Sequence, residues 1–296
     1  MSKPNINDNK GWKFRWTPEE DQILIKHYQD KTINELLELL PNRNIKGIYA
    51  RAHKLGLKYR IYDETYFNVI DTEEKAYWLG FIYADGYVTS GDRWGITLSS
   101  VDYNHLEKLN KALKSNVIIR TRTSKPKEYK GQTISSSNHS TLLFKNKRMY
   151  DSLIDKGVVP NKTYNLKFPD HSVLDEHLLP HFIRGFFDGD GSYVFCRKDR
   201  VRKDRGGKIY NRLVKEISLV CYDESFIKDM QKTIKQQCGA EFRLNYNPKG
   251  NLPTLRCSNA ENMFLFLEYI TKDATIYLDR KKEKINEILE YCRTLQ

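Results

Sequence analysis

Two stretches of the chain end in an aspartate–glycine pair preceded by closely matched residues, WLGFIYADG over 78–86 and IRGFFDGDG over 183–191. Gly80 aligns with Gly185, Phe81 with Phe186, Ala84 with Gly189, Asp85 with Asp190 and Gly86 with Gly191, so the two aspartates lie 105 positions apart (190 − 85). Each stretch reads as a helix that stops at Asp-Gly and enters a strand. Gly80 with Ala84, and Gly185 with Gly189, put two small residues one turn apart on one face, which lets two helix backbones approach closely. Helices packed through those faces would bring Asp85 and Asp190 side by side at their C-terminal ends. Carboxylates held there repel each other and the negative ends of the helix dipoles. Hard divalent cations between them would relieve that repulsion, with Mg²⁺ the usual choice for phosphate chemistry and Mn²⁺ a substitute. One such stretch would be an ordinary turn; two with matched glycines point to a site.

The elements that must hold these aspartates repeat as well. ITLSSVDYNHLEKL (96–109) reads as a strand followed by a helix from near Asp102, and ISLVCYDESFIKDM (217–230) does the same with Asp223, at an offset of 121 (223 − 102). Both aspartates are expected as helix N-caps, with the holding of water around a bound metal as the alternative. Strand signals follow at 117–123 and 139–145, then at 241–246 and 253–258, each pair leading into a helix. The fold expected is therefore α+β: two pseudo-symmetric αββαββα half-domains, 73–170 and 175–296, packed through their motif helices as a dimer within one polypeptide. Alternation puts Ile96 and Leu98 inward, leaving Arg93, Thr97 and Ser99 outward, with Arg120 and Arg122 sharing a strand face. In the second half Phe242, Leu244 and Tyr246 are expected inward, and Arg243, Asn245 and Arg256 outward. The hairpin sequence CRKDRVRKDRGGKIYNR (196–212) adds Arg197, Arg200 and Arg202 to a strongly basic surface.

Formal net charge is +12 and the sequence pI about 9.3, a balance suited to a polyanion, nucleic acid before membrane. Arginine suits guanine edges, asparagine adenine edges, and the basic hairpin backbone phosphates. No run of 18 apolar residues is present, so no membrane-spanning helix is expected. The start, MSKPNINDNKGW, lacks an apolar signal core, so export is not expected either. Cys196, Cys221, Cys238, Cys257 and Cys292 form no CxxC pair, which fits reduced thiols in an intracellular protein rather than a disulfide framework. His177 and His181 are spaced as zinc ligands can be, but no third ligand accompanies them and Pro180 interrupts the helix.

Residues 12–60 read as a separate basic module of three short helices. Thr17 caps the first with Pro18 in its first turn, Thr32 and Glu35 form a capping box on the second, and Asn44 caps a third that stops at Gly56. Ile45, Ile48, Ala52 and Leu55 mark its apolar face; Lys46, His53 and Lys54 lie opposite, where they can enter a major groove. The run WTPEED…NIKGIYARAHKLGL resembles the Myb/SANT-type helix-turn-helix, which implies DNA binding by the third helix. Gly47-Ile48-Tyr49 spells half of the GIY-YIG nuclease signature, but lies in a helix with no YIG after it.

Over 73–296 the paired motifs, Asp-Gly ends and duplicated αββαββα units resemble the two-motif LAGLIDADG homing endonucleases. The resemblance implies a monomer whose paired helices form the half-domain interface and whose two sheets straddle duplex DNA. It implies metal binding by the last aspartate of each motif, here Asp85 and Asp190. Trp78 departs from the family's opening leucine and Tyr83 from its first motif aspartate; Asp188 holds that place in the second copy and is read as structural. The resemblance also implies a catalytic lysine after the last sheet helix of each half, here Lys162 and Lys281, with Lys282 a near rival. The activity implied is metal-dependent cleavage of one phosphodiester per strand at a long, asymmetric duplex site, inside the cell with the genomic DNA of a bacterial or phage host or an organelle. An RNA-splicing maturase and a non-catalytic DNA-binding regulator are the alternatives on the same scaffold.

Overall fold

A computed structural model of the chain describes residues 15–29, 31–58, 60–90, 94–129, 132–134, 136–202, 208–247 and 252–295. They fall into two units, one running to residue 62 and including 114–117, the other made of 63–113 and 118–296.

The first unit contains α1 (Pro18–His27), α2 (Ile33–Leu39) and α3 (Ile45–Lys54). Thr17 with Glu20 closes a capping box on α1, Thr32 with Glu35 closes another on α2, and the Asn44 side chain accepts from the Gly47 amide. Gly56 (φ +70°) supplies the left-handed residue after α3. Leu24, Tyr28, Leu36, Leu40, Ile48 and Ala52 form the core, and Glu20–Arg43 (2.6 Å) and Asp21–Arg51 ion pairs tie α1 to the segment around α3. Ile45, expected on the inner face, is 44% exposed because it opens α3 ahead of the turn that reaches the core.

The second unit is α+β and built of two like halves. In the first half, α4 (Glu73–Asp85) leads into β1 (Gly86–Thr89), β2 (Gly95–Ser100), α5 (Tyr103–Ala112) and β3 (Arg120–Thr123). A hairpin of β4 (Lys127–Tyr129) and β5 (Gln132–Ile134) follows, then β6 (Asn138–Lys145) and α6 (Lys147–Asp155). In the second half, α7 (Leu179–Asp190) leads into β7 (Gly191–Arg202), β8 (Lys208–Val220), α8 (Glu224–Cys238), β9 (Arg243–Asn247), β10 (Leu252–Cys257) and α9 (Ala260–Thr271). The sheets run β1-β2-β6-β3 and β7-β8-β10-β9, the same antiparallel order once the β4–β5 hairpin is set aside. A last helix, α10 (Asp279–Arg293), follows the second half alone. The duplicated pattern read from the sequence has no place for it.

The halves meet through α4 and α7. Ala76 to Ala84 of α4 and Leu179 to Asp188 of α7 are buried without a break, as expected for helices covered on all sides. A β-carbon on Gly80 would collide with the Phe182 carbonyl oxygen, one on Gly185 with the Tyr77 carbonyl oxygen, and one on Gly189 with Cβ of Ala84. Glycine at these positions lets the backbones touch, and that contact fixes how far each helix extends past the other. Gly80→Ala and Gly185→Ala are therefore each expected to destabilise the unit by about 1–3 kcal/mol, as overpacking does. Gly47→Ala, where a β-carbon meets only Asn44 Oδ1 at 3.4 Å inside α3, is expected to be neutral or stabilising by under ~1 kcal/mol. Denaturant melts of the three variants check this ordering.

Candidate active site

α4 and α7 end at Asp85 and Asp190, and the glycine contact sets these ends side by side. A β-carbon built on Gly189 would lie 3.5 Å from Asp85 Oδ2, so the first carboxylate reaches across to the residue before the second. Both aspartates are exposed at their outer edge, while protein surrounds the rest of each side chain. Burial pushes the Asp190 carboxyl up to about 6, and the Asp85 charge adds to the shift; Lys162 and Lys281 oppose it. Asp85 is also raised by burial, against the pull of Lys162, Lys281 and Arg280. The pair is thus an electrostatically disfavoured meeting of two carboxylates at two negative helix ends.

Lys162 enters this site from a turn after α6, and Lys281 from the start of α10. Lys162 lies in a 3₁₀ turn (Lys162–Tyr164), and its Nζ donates to the carbonyls of Ile82 (3.0 Å), Tyr83 (2.5 Å) and Ala84. Lys281 lies in the first turn of α10 and donates to Phe187 (2.8 Å), Asp188 (2.6 Å), Gly189 (3.1 Å) and Gly191 (2.7 Å). Each ammonium closes the carbonyl end of one motif helix, a favourable place for a cation. Burial pushes both lysines down to about 8, with neighbouring aspartates resisting the loss of charge. Lys282 instead lies over the Tyr277 ring, 4.5 Å from its centroid.

The two lysine loops are anchored by residues at matching motif positions but of opposite polarity. Tyr83 donates its hydroxyl to the Lys156 carbonyl (2.5 Å), and Gly157 (φ +91°) leaves room for the phenol. Asp188 Oδ2 accepts from the Leu278 amide (2.8 Å) and from the Tyr77 hydroxyl (2.7 Å). Tyr77 takes its own hydrogen bond from His105 Nε2 (3.0 Å), which burial keeps neutral by pushing its pKa down to about 3. Asp188 is fully buried and pushed up to about 6. Fully buried Arg184 bonds to Glu73, to the Ile270 carbonyl (2.7 Å), to the Ile276 carbonyl (3.0 Å) and to His181 Nδ1 (2.8 Å). Glu73 in turn accepts from the Thr275 and Ile276 amides. This network was not read from the sequence. Its only signal is an arginine inside the otherwise apolar run FIRGFF.

The remaining sequence-derived residues divide by face. The pairing of Ser99 with Thr141 and of Thr141 with Arg120, and of Arg122 with His139, sets Thr97, Ser99, Arg120 and Arg122 on one face of the first sheet. Arg243 pairs with Arg256 and Asn245 with Thr254, so these three basic or amide residues share one face of the second sheet, and all three are exposed. Arg197 is exposed but has the same register parity as core residue Tyr193, so it does not join that row. Arg200 and Arg202 belong to β7 by backbone, their side chains outside the described residues, and Arg93 lies outside them altogether. Lys46, His53 and Lys54 are exposed on α3 of the first unit. Tyr246, expected inward, is 44% exposed and donates to Glu224 (2.7 Å), because a phenol can satisfy its hydroxyl at the sheet edge. Asp223 caps α8 through the Phe226 amide; Asp102 makes no such cap at α5 and accepts from Arg280 instead (3.1 Å).

Among the described residues no cluster of three or more His, Cys, Asp or Glu side chains could hold a metal. The donor set nonetheless fits Mg²⁺, which dehydrates reluctantly and is commonly held by one or two carboxylates together with substrate phosphates. Asp85 and Asp190 supply those two hard oxygen donors.

No family model matches the chain, and no curated protein matches it in sequence. Solved structures similar to it include the homing endonuclease I-WcaI bound to its DNA recognition sequence (14% identity, TM-score 0.49, covering 86% of this chain and 97% of that one). Another is the I-LtrWI LAGLIDADG homing endonuclease bound to target DNA (10%, 0.45, 78% and 92%). A third is full-length WhiA from Thermatoga maritima (19%, 0.41), of which this chain spans 64% while 77% of this chain is covered. Likenesses this distant leave the chemistry to the residues of the site. No helix among the described residues is long and apolar enough to cross a membrane.

The raised Asp190 carboxyl has a stability consequence of defined sign. The folded protein binds this proton more tightly than the unfolded chain, so without metal its stability falls as pH rises from about 4 to 6 and the deficit persists above. Asp190→Asn should therefore stabilise the metal-free protein at pH 7 by about 1 kcal/mol, after allowance for solvent screening at the exposed edge, and give no gain at pH 4. Mg²⁺ should raise the melting temperature of the native chain and not of the variant. Thermal melts at both pH values, with and without Mg²⁺, test this. Lys281→Met, which takes the ammonium donor from four carbonyls, is expected to lose about 2–4 kcal/mol in the same assay.

Proposed function

We propose that the chain is a LAGLIDADG-type, site-specific DNA endonuclease that hydrolyses one phosphodiester on each strand of a duplex. The observation that carries this is the Asp85–Asp190 pair at the joined C-terminal ends of α4 and α7, with a lysine behind each helix end, Lys162 half-buried and Lys281 buried. Nothing in the fold requires two carboxylates to meet at two negative helix ends; binding a cation and a phosphate there does. Asp85 and Asp190 would hold Mg²⁺, which when bound lowers the pKa of water and screens phosphate charge. Lys162 and Lys281 keep the carbonyl ends of the helices neutralised and so keep both aspartates aimed at the same place. They also offset the charge of the pair, which favours the ionised carboxylates that a cation needs.

The exposed rows on the two sheets supply the DNA contacts in this reading. Arg120 and Arg122 lie on one sheet and Arg243, Asn245 and Arg256 on the other, so two unlike rows read an asymmetric site. One chain holds both motif aspartates, so a monomer suffices. The three-helix unit would extend the footprint as a helix-turn-helix through Lys46, His53 and Lys54. A second reading, a DNA-binding regulator that does not cut, is favoured by the engagement of both lysine ammonium groups with main-chain carbonyls. Incubating the full chain with a randomised duplex library and Mg²⁺, then sequencing the ends, distinguishes them. Paired cuts that disappear in Asp85→Asn and Asp190→Asn are expected. Selected binding without cutting in either Mg²⁺ or Mn²⁺ would establish the regulator, and no selection from the duplex library at all would turn the reading to an RNA-splicing maturase.

A further inference from the structure

Beside one of the two lysine positions the surface carries an aromatic pair that the protein's own packing does not require. Tyr164 closes the 3₁₀ turn that begins at Lys162, and Tyr222 follows the end of β8. Their rings meet edge to face with centroids 5.7 Å apart, yet they remain 70% and 52% exposed. Sheet register places Tyr222 next to the motif: Gly191 pairs with Leu219, so the chain beyond Val220 runs back alongside the end of α7. Cys221, buried and one residue before Tyr222, feels the charges of both Asp190 and Lys162. The pair therefore borders the point where Asp85 and Asp190 meet.

Among the described residues the matching positions of the other half carry no such pair. The position matching Tyr222 is Val101 (222 − 121), and the position matching Tyr164 is Glu283, by the 119-residue offset of the two lysines (281 − 162). An aromatic surface on one side only is not part of what the two halves share, and its exposure shows that packing does not use it. Two partly exposed phenols beside an ammonium suit an anionic ligand with a flat apolar face, which describes a nucleotide. Duplex DNA shows such a face only where a base has left the stack.

We propose that Tyr164 and Tyr222 form a stacking platform for an unpaired or unstacked DNA base beside the Asp190–Lys162 side of the site. The proposal rests on the DNA-binding reading above and adds to it a preference for locally opened duplex on one side of the cut position. The full chain would be titrated by fluorescence anisotropy against a labelled duplex and the same duplex with a short central mismatch bubble, each at several salt concentrations. The native chain should bind the bubble about tenfold more tightly. The double variant Tyr164→Ala/Tyr222→Ala should lose that preference while keeping its duplex affinity, salt slope and melting temperature, since both rings are exposed and the charged contacts are untouched. Tyr164→Phe/Tyr222→Phe should retain the preference, because stacking needs the ring and not the hydroxyl. A bubble preference that survives the alanine variant, or a native chain that binds both substrates equally, would overturn the platform while leaving DNA binding intact. A native chain that binds neither substrate would remove the DNA-binding reading and the platform with it.

Discussion

The structure depends on one contact, the touching of two helix backbones across Gly80 and Gly185. Each glycine takes the place where a side chain would strike a carbonyl oxygen of the other helix, Phe182 in one direction and Tyr77 in the other. A contact between backbones is stiffer than one between side chains, because no rotamer change can accommodate a shift. It fixes the axial position of α4 against α7, and with it the meeting of Asp85 and Asp190 about one and a half turns further on. The sheets then hang from these two helices, since β1 begins at the residue after Asp85 and β7 at the residue after Asp190.

That meeting is electrostatically unfavourable, and much of the surrounding structure answers it. Two helix C-termini direct unsatisfied carbonyls to one place and two carboxylates add charge to it. Lys162 and Lys281 each gather several of those carbonyls, and their own lowered pKa records the burial this requires. The loops that deliver them are held by different chemistry at one motif position: a phenol giving a hydrogen bond at Tyr83, a carboxylate accepting one at Asp188. Duplication has preserved the task and changed the group that performs it.

The Glu73–Arg184 pair extends this asymmetry. Arg184 has no solvent contact, and a buried ion pair of this kind adds little net stability over apolar packing. Its directional bonds to Ile270 and Ile276, with those from Thr275 and Ile276 to Glu73, tie the first turn of α4 to the loop before α10. The segment that leads into α10, and so to Lys281, is thereby tied to both motif helices, through Glu73 of α4 and Asp188 of α7. Among the described residues the segment leading to Lys162 has no equivalent double tie; it is held to α4 through Tyr83.

The sequence by itself determined the α+β duplication, because glycine spacing, Asp-Gly helix ends and alternating strand residues are local patterns with local physical causes. It marked Asp85 and Asp190 for the same reason, and it marked the capping residues of α1, α2 and α3, whose partners lie within one turn. The Lys162 and Lys281 positions came from the family resemblance, and sequence gave no hint that their ammonium groups close helix ends. The network through Tyr77, His105, Asp188, Arg184 and Glu73 was likewise hidden, as were the exposure of Tyr246 and the pairing of Asp102 with Arg280. Each of these joins residues distant along the chain, up to 203 apart in the Glu73–Ile276 bond. Only the tertiary structure decides them, because a hydrogen bond or a burial cost depends on what surrounds a side chain in space, and the backbone contact at Gly80 and Gly185 is what brings those surroundings together.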